Sequence, residues 1–427
     1  MLPEPTLLQR RHRVLGSASP LFYDKPLHLV RGEGVWLFDV DGRRYLDVYN
    51  NVPCVGHCNP HVVEAMHRQA TTLNIHTRYL DEQVVRYAER LTATFDEPLD
   101  TAMFTCTGSE ANELALRLAR FASGGTGIIV SDYNYHGNSA SLAEVTTALP
   151  SPEPFAAHAR AVPIPCLYRA PAGTTEEQLA EQYAANIAAA IASLQAQGIR
   201  PAALLIDTLF ANEGLPRVPA SFVNKAAALI RAAGGLFIAD EVQSGFGRTG
   251  DHLWGHQAHG VVPDIVTLGK PMGNGYPLAG LITHKALVES FGRHAMYFNT
   301  FGGSPVAAAV GMAVLDVIEQ QQLLHNAQSV GGYVQQRLQS MAQKHSIIGD
   351  VRGKGLFFAM ELVRDHHSKE PAGLEARKVV NDMRDNGVLI SKIGAGDNIL
   401  KLRPPLVFGR EHADLFVSTL DNALSAI

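Results

Sequence analysis

Three stretches of the chain end in residues that can do chemistry. DIVTLG runs into Lys270, which opens a loop broken by glycine and proline, KPMGNGYPLAG. GLFIAD ends in Asp240, thirty positions earlier, and continues as EVQSGFGRTG. AMFTCTGSEAN passes through Gly108-Ser109 into a helix-like run. Lysines are seldom buried, so one that closes an apolar run needs a reason. In an open α/β sheet, ligands bind beyond the carboxyl ends of the strands. A helix start after a strand offers free backbone N–H groups and the positive end of the helix dipole, which together bind anions.

An amine, a carboxylate and an anion cradle at one sheet rim suit pyridoxal 5′-phosphate (PLP). In that reading Lys270 forms the Schiff base, Asp240 faces the ring nitrogen, and Gly108 with Ser109 holds the phosphate. YNYHG supplies Tyr135 as an aromatic to stack on the ring.

Six motifs carry a resemblance that covers nearly the whole chain: TGSEAN (107–112), YHG (135–137), IADEVQSGFGRTG (238–250), LGKPMGNGYPLAG (268–280), FNTFGGSP (298–305) and LRPPL (402–406). The sequence resembles the class III, fold-type I aminotransferases. The resemblance implies that Lys270, once displaced by the substrate amine, is the base that moves the proton. It implies that Asp240 pairs with the pyridine nitrogen, that Val242 (through its backbone) or Gln243 lies near the ring hydroxyl, and that His136 stands beside Tyr135. Thr300 would reach the phosphate of a neighbouring subunit, which implies a homodimer. RGEGVWLFDVDGRRYLDVYNNVPCVGHCNP and the lysine loop look most like the alanine–glyoxylate aminotransferase-like and ethanolamine-phosphate phospholyase branch. The expected activity is amino transfer from an amine or amino acid to a small 2-oxo acid. The alternative is elimination of phosphate from phosphoethanolamine-like amines.

Two places depart from that pattern or extend it. IDTLFANEGL (206–215) puts Asn212 where many members carry an acid that pairs with the substrate arginine, with Glu213 one position late. Arg403 is the candidate for a substrate carboxylate or phosphate, because a guanidinium fork meets either anion bidentately. Lys401, two positions before it, points the same way on a strand and would join it in an anion pocket. No metal is expected. His252, His256 and His259 have helical spacing but no HExxH pattern, and GDVRGKG (349–355) lacks the spacing and the Ser/Thr of a Walker loop.

The elements that must position these residues follow from periodicity. VWLFDVDGRRYLDV holds a turn at Asp41-Gly42 between two strands. Ser109 is read as the cap of EANELALRLARF, with Leu114, Leu118 and Phe121 on one face. Thr174 and Glu177 are read as a capping box before an alanine-rich helix. Strands AALLID, GLFIAD and DIVTLG alternate with helices, which predicts an α/β fold with a mainly parallel sheet of the seven-stranded type. Past about residue 330 the pattern becomes α+β. Residues 62–325 are read as the large PLP-binding domain. Residues 1–61 and 326–427 are read as a smaller α+β domain built from both termini.

Composition bounds the function classes. The 427 residues are 46% hydrophobic and 18% charged, with a net charge of −5 and no long basic run, so nucleic acid is not an expected partner. Four scattered cysteines and the absence of an apolar leader point to the cytoplasm. No run of about 20 apolar residues predicts a membrane span.

Overall fold

The computed structural model describes residues 6–427. A helix, α1 (Leu7–Leu15), precedes a meander of β1 (Leu29–Glu33), β2 (Trp36–Asp39) and β3 (Arg44–Asp47), with the expected β2–β3 turn at Asp41-Gly42. Helices α2 (Pro60–Ala70) and α3 (Glu82–Thr92) then lead into the alternating region. It runs β4 (Thr101–Thr105), α4 (Gly108–Ser123), β5 (Gly127–Ser131), the short α5 (Ala140–Ala143), β6 (Ala159–Val162), α6 (Glu176–Ala196), β7 (Pro201–Ile206), α7 (Phe222–Ala232), β8 (Leu236–Asp240), β9 (Ile265–Leu268) and β10 (Ala279–Thr283).

These seven strands form one sheet in the order β4-β10-β9-β8-β7-β5-β6. Only β10 is antiparallel to its neighbours; every other pairing within this sheet is parallel. Both faces are covered, and the strand alternation shows it. Ile128, Val130, Ala203, Leu205 and Ile238 join the core on one face, while Ile129, Leu204, Ile206, Phe237 and Ala239 join the core on the other. A strand buried on both sides reads as a continuous apolar run, which is how β7 to β9 look in the sequence. Leu114, Leu118 and Phe121 of α4 do share a face, against the first of these cores.

Two cap assignments are corrected. The cap of α4 is Thr107, whose hydroxyl accepts from the Glu110 amide while Glu110 returns to the Thr107 amide. Ser109 is inside the first turn. For α6 the reciprocal pair is Thr175 and Gln178, one residue beyond Thr174 and Glu177. Before α6 the pairs Thr174–Glu177 and Thr175–Gln178 overlap, and before α4 both Thr107 and Ser109 are residues that can cap, so only the entry direction of the chain chooses between them.

After α8 (Lys285–Gly292), α9 (Pro305–Gln320) and α10 (Leu323–Lys344), the chain forms β11 (Ile348–Lys354), β12 (Phe357–Leu362), α11 (Gly373–Asp385), β13 (Val388–Leu389), β14 (Ser391–Ile393), β15 (Ile399–Leu402) and α12 (Arg410–Ser425). Strands β11-β12-β15-β14 make an antiparallel sheet. Strand β13 leaves it and pairs in parallel with β3, Val388 opposite Leu46. The two ends of the chain are thereby joined in one sheet. GDVRGKG lies mostly in β11, so it is strand rather than a phosphate loop. Among the described residues no helix is long and apolar enough to cross a membrane.

Candidate active site

The carboxyl ends of the parallel strands converge on a cavity of about 130 Å³. Eight residues named from the sequence line it: Gly108, Ser109, Tyr135, His136, Asp240, Val242, Gln243 and Lys270. Gly137 and Asp207 complete the wall. Asp240 ends β8, Asp207 follows β7, and Lys270 follows β9 by two residues, so three adjacent parallel strands deliver the polar groups to one rim.

Lys270 takes φ +26°, a conformation uncommon for a side-chain-bearing residue. Its loop is held from the N-terminal segment. Asn274, also left-handed, accepts from the Val55 amide at 3.0 Å and donates to the Gly56 carbonyl at 2.9 Å, and the Cys54 thiol meets the Pro271 carbonyl at 3.3 Å. Among the described residues the Lys270 amine makes no hydrogen bond or ion pair. Burial, and then the nearby Arg403 charge, lower its pKa, partly opposed by Asp240 and Asp207. A larger share of the amine is therefore the free base, the form that attacks a carbonyl carbon or takes a proton.

Asp240 is fixed by three contacts. Its Oδ2 lies 2.7 Å from His136 Nδ1 and 2.9 Å from Asn112 Nδ2, and its Oδ1 accepts from the Val242 amide at 3.0 Å. Asn112 is oriented in turn by Thr267, whose hydroxyl donates to Asn112 Oδ1 at 2.7 Å, and by the His136 carbonyl at 2.8 Å. The Ser109 hydroxyl exchanges hydrogen bonds with Asn138 at 3.2 Å, which ties the start of α4 to the YHG loop.

The residues fit PLP. His136 Nε2 is buried without a partner. Gly137, at φ +146°, is a position where a Cβ would sit 2.6 Å from Ser109 Oγ and close the space beside the α4 N-terminus. Bound here, the cofactor would supply an aldehyde for amines and a ring that accepts electrons from the substrate carbon. Lys270 would hold and release it, Asp240 would meet its ring nitrogen, and the first turn of α4 would take its phosphate.

Thr300, Arg403, Lys401, Asn212 and Glu213, also named from the sequence, lie outside the cavity wall. Thr300 is exposed, on the loop that precedes α9. Arg403 stands behind Gln243: its Nη1 donates to Gln243 Oε1, its Nε to the Tyr49 carbonyl at 2.9 Å, and its guanidinium carbon lies 4.6 Å from the centre of the Tyr49 ring. Lys401 Nζ reaches the same Gln243 Oε1 at 3.2 Å. Gln243 is thus engaged by both cations, and its own amide nitrogen lies 3.4 Å from Asn212 Oδ1.

Two residues and one pairing escaped the sequence reading. Asp207 closes a strand just as Asp240 does, and the same rule would have found it; burial and then Asp240 push its carboxyl up to about 6. Asn112 was visible one turn along the cradle helix. Glu213 accepts from the Ser131 hydroxyl, and burial, with Asp207 next, raises it to about 7; nothing local in the sequence pairs these two. His256 and His259 do not converge: His256 Nδ1 meets Glu241 at 3.0 Å, and His259 Nε2 meets the Thr208 carbonyl at 2.9 Å.

A family profile described as Aminotransferase class-III matches residues 22–424. An "alanine–glyoxylate aminotransferase 2-like" protein of Drosophila melanogaster is 38% identical over 437 residues, covering 100% of this chain and 88% of the relative. A phospholyase from Arthrobacter, solved in complex with phosphoethanolamine, is 50% identical with a TM-score of 0.97, covering 99% of this chain and 100% of the other. An amine transaminase from an uncultivated Pseudomonas species, solved in its PLP-bound form, is 31% identical with a TM-score of 0.87, covering 97% and 98%.

Proposed function

The chain belongs to the class III aminotransferase family of PLP-dependent enzymes, and we propose that its substrate is a small primary amine with an anionic group at its far end. The family reaction moves the amino group of an amine or amino acid to a small 2-oxo acid. In the proposed assignment Lys270 holds the cofactor and then moves the proton at the substrate carbon. Asp240, steadied by His136, faces the ring nitrogen. Gly108 and Ser109 take the phosphate, Tyr135 stacks on the ring, and Gln243 or the Val242 backbone lies by its hydroxyl.

One observation carries the anionic substrate. The Arg403 guanidinium is buried, yet its polar partners are a neutral amide and a backbone carbonyl rather than a carboxylate. Asp47 and Asp207 act on it only from a distance; a buried cation without a directly bonded carboxylate is costly, and an incoming anion lowers that cost.

A second reading, loss of phosphate from a phosphoethanolamine-like amine, also has specific support. It comes from the likeness to the Arthrobacter phospholyase and from Asn212, which is neutral where an acid would otherwise occupy the arginine. The test incubates the PLP-loaded enzyme with phosphoethanolamine, with and without pyruvate or glyoxylate. Alanine or glycine formed only with the acceptor supports transfer; inorganic phosphate released without an acceptor supports elimination. If neither product forms, but an uncharged amine of the same length reacts, the anionic-substrate reading is wrong.

The proposed assembly is a homodimer in which Thr300 serves the partner's site. Support comes from a cluster of exposed apolar side chains on two neighbouring loops: Tyr79 and Leu80 on one, Met296, Phe298 and Phe301 on the other. His76 and Arg78 pack on Phe298 and join the loops. Contiguous apolar surface of this kind marks an interface. The cytoplasm is the proposed location, supported by four free cysteines.

A further inference from the structure

Strand β15 carries Lys401 into the interior with 3% of its surface exposed. Its ammonium lies 5.8 Å from the centre of the Phe357 ring. It has two polar contacts, Gln243 Oε1 at 3.2 Å and Asn212 Oδ1 at 3.5 Å. Arg403 spends a terminal nitrogen on the same Gln243 oxygen. One amide carbonyl therefore serves two buried cations. Arg352, buried to the same degree, shows the usual arrangement: it pairs with Asp350 at 3.0 Å and Glu361 at 2.8 Å.

The nearest acids are committed elsewhere. Asp207 accepts from the amides of Leu209 and Ala211, and Glu213 accepts from Ser131. Among the described residues no carboxylate hydrogen-bonds Lys401 or Arg403. Burial, then the Arg403 charge, press the Lys401 amine well below its ordinary pKa against the opposing pull of Asp207 and Glu213, and a bound anion would favour its charged form. A carboxylate brings one negative charge and two oxygens. A phosphate monoester brings about −1.5 to −2 charges and three acceptor oxygens.

We propose that Lys401 is the specificity-determining residue that selects a phosphate over a carboxylate at the far end of the substrate, forming with Arg403 a dianion subsite in which the Gln243 amide oxygen is the placeholder. This rests on the anionic-amine reading above. A displaced Gln243 remains within reach of Asn212, its existing neighbour at 3.4 Å, so the placeholder has somewhere to go.

The test uses PLP-loaded enzyme and follows the cofactor's visible band on mixing with phosphoethanolamine, taurine, β-alanine or propylamine. Taurine presents three oxygens but a single charge, and so separates shape from charge. The expected result is that Lys401→Gln lowers the phosphoethanolamine to β-alanine ratio of kcat/KM by roughly 10- to 100-fold, the scale of one lost charge-assisted hydrogen bond. The loss falls on KM, Lys401→Arg restores most of it, and taurine behaves like β-alanine. A ratio unchanged in Lys401→Gln overturns the proposal. So does an equal loss for both anions, or a shifted visible band with the ratio intact, since Lys401 would then serve the fold or the cofactor. Should Lys401→Gln not fold, wild-type enzyme decides: inorganic phosphate must compete with β-alanine more strongly than chloride does, and failure to do so overturns the proposal. Preference of the wild type for propylamine over every anionic amine is a different outcome, and it removes the anionic-amine reading itself.

Discussion

Lys270 occupies a left-handed backbone position that the surrounding loop has to enforce, through Asn274, the Pro271 carbonyl and the segment Cys54–Val55–Gly56. The strain places a free amine on the cavity wall without a partner to hold its proton. Replacing it is expected to abolish covalent retention of PLP, so that Lys270→Ala lacks the visible band of the bound cofactor after desalting and loses at least about 10²–10⁴-fold in rate. A variant that keeps both would remove Lys270 from the site. Glu213 makes a pH prediction. Its folded pKa, about 7, lies above the ordinary value of 4.5. Between those values the folded state binds more protons than the unfolded state, so stability falls as pH rises through that window. Thermal unfolding of the apo-enzyme is expected to show a midpoint that drops from pH 5 to pH 8, and Glu213→Gln to flatten that drop. A parallel curve for the variant would show that Glu213 titrates normally.

Elements, rather than single residues, bring the site together, and helix α10 shows how tightly they pack. A Cβ on Gly331 would lie 2.0 Å from the Gly355 carbonyl oxygen at the β11–β12 turn, whereas one on Gly332 meets nothing within 4 Å. Adjacent substitutions should therefore have opposite signs. Gly331→Ala is expected to destabilise by at least about 1–3 kcal/mol, the usual cost of overpacking. Gly332→Ala should stabilise by up to about 1 kcal/mol through helix propensity. Denaturant midpoints of the two variants measure this. The Asp240 loop is anchored in the same way. Glu241, fully buried, accepts from the amides of Gly255 and His256 at 2.7 Å each and from the Ser244 hydroxyl at 2.7 Å. Glu241→Ala would strand those donors and is expected to cost several kcal/mol.

At the scale of the whole molecule, the N- and C-terminal segments meet where β13 pairs with β3, and Arg403, the proposed substrate arginine, depends on this closure: its amide donates to the Val48 carbonyl at 2.8 Å and its Nε to the Tyr49 carbonyl. The proposed dimer belongs to this scale too. A native mass of twice 46.1 kDa is expected in sedimentation, with Leu80→Asp together with Phe301→Asp shifting it toward the monomer and lowering activity. A monomeric, fully active wild type would remove Thr300 and the shared site.

What the sequence determined by itself was the local and the periodic. Apolar runs ending in Asp240 and Lys270 announced strands of a covered parallel sheet, because a strand buried on both faces has no polar alternation to hide it. The helix start at Gly108-Ser109 was legible because a glycine-containing turn with capping residues follows an apolar strand there. The α6 pair was missed by one residue and the α4 cap by two, since neighbouring Ser and Thr positions satisfy the same local rule. Only the tertiary structure decided the second layer: Asn112 on Asp240, Ser131 on Glu213, the clamp from residues 54–56, and the sharing of one Gln243 carbonyl by Lys401 and Arg403. Those partners lie from tens to hundreds of positions apart in the chain. Their meeting depends on sheet order and chain closure, which local side-chain pattern does not encode.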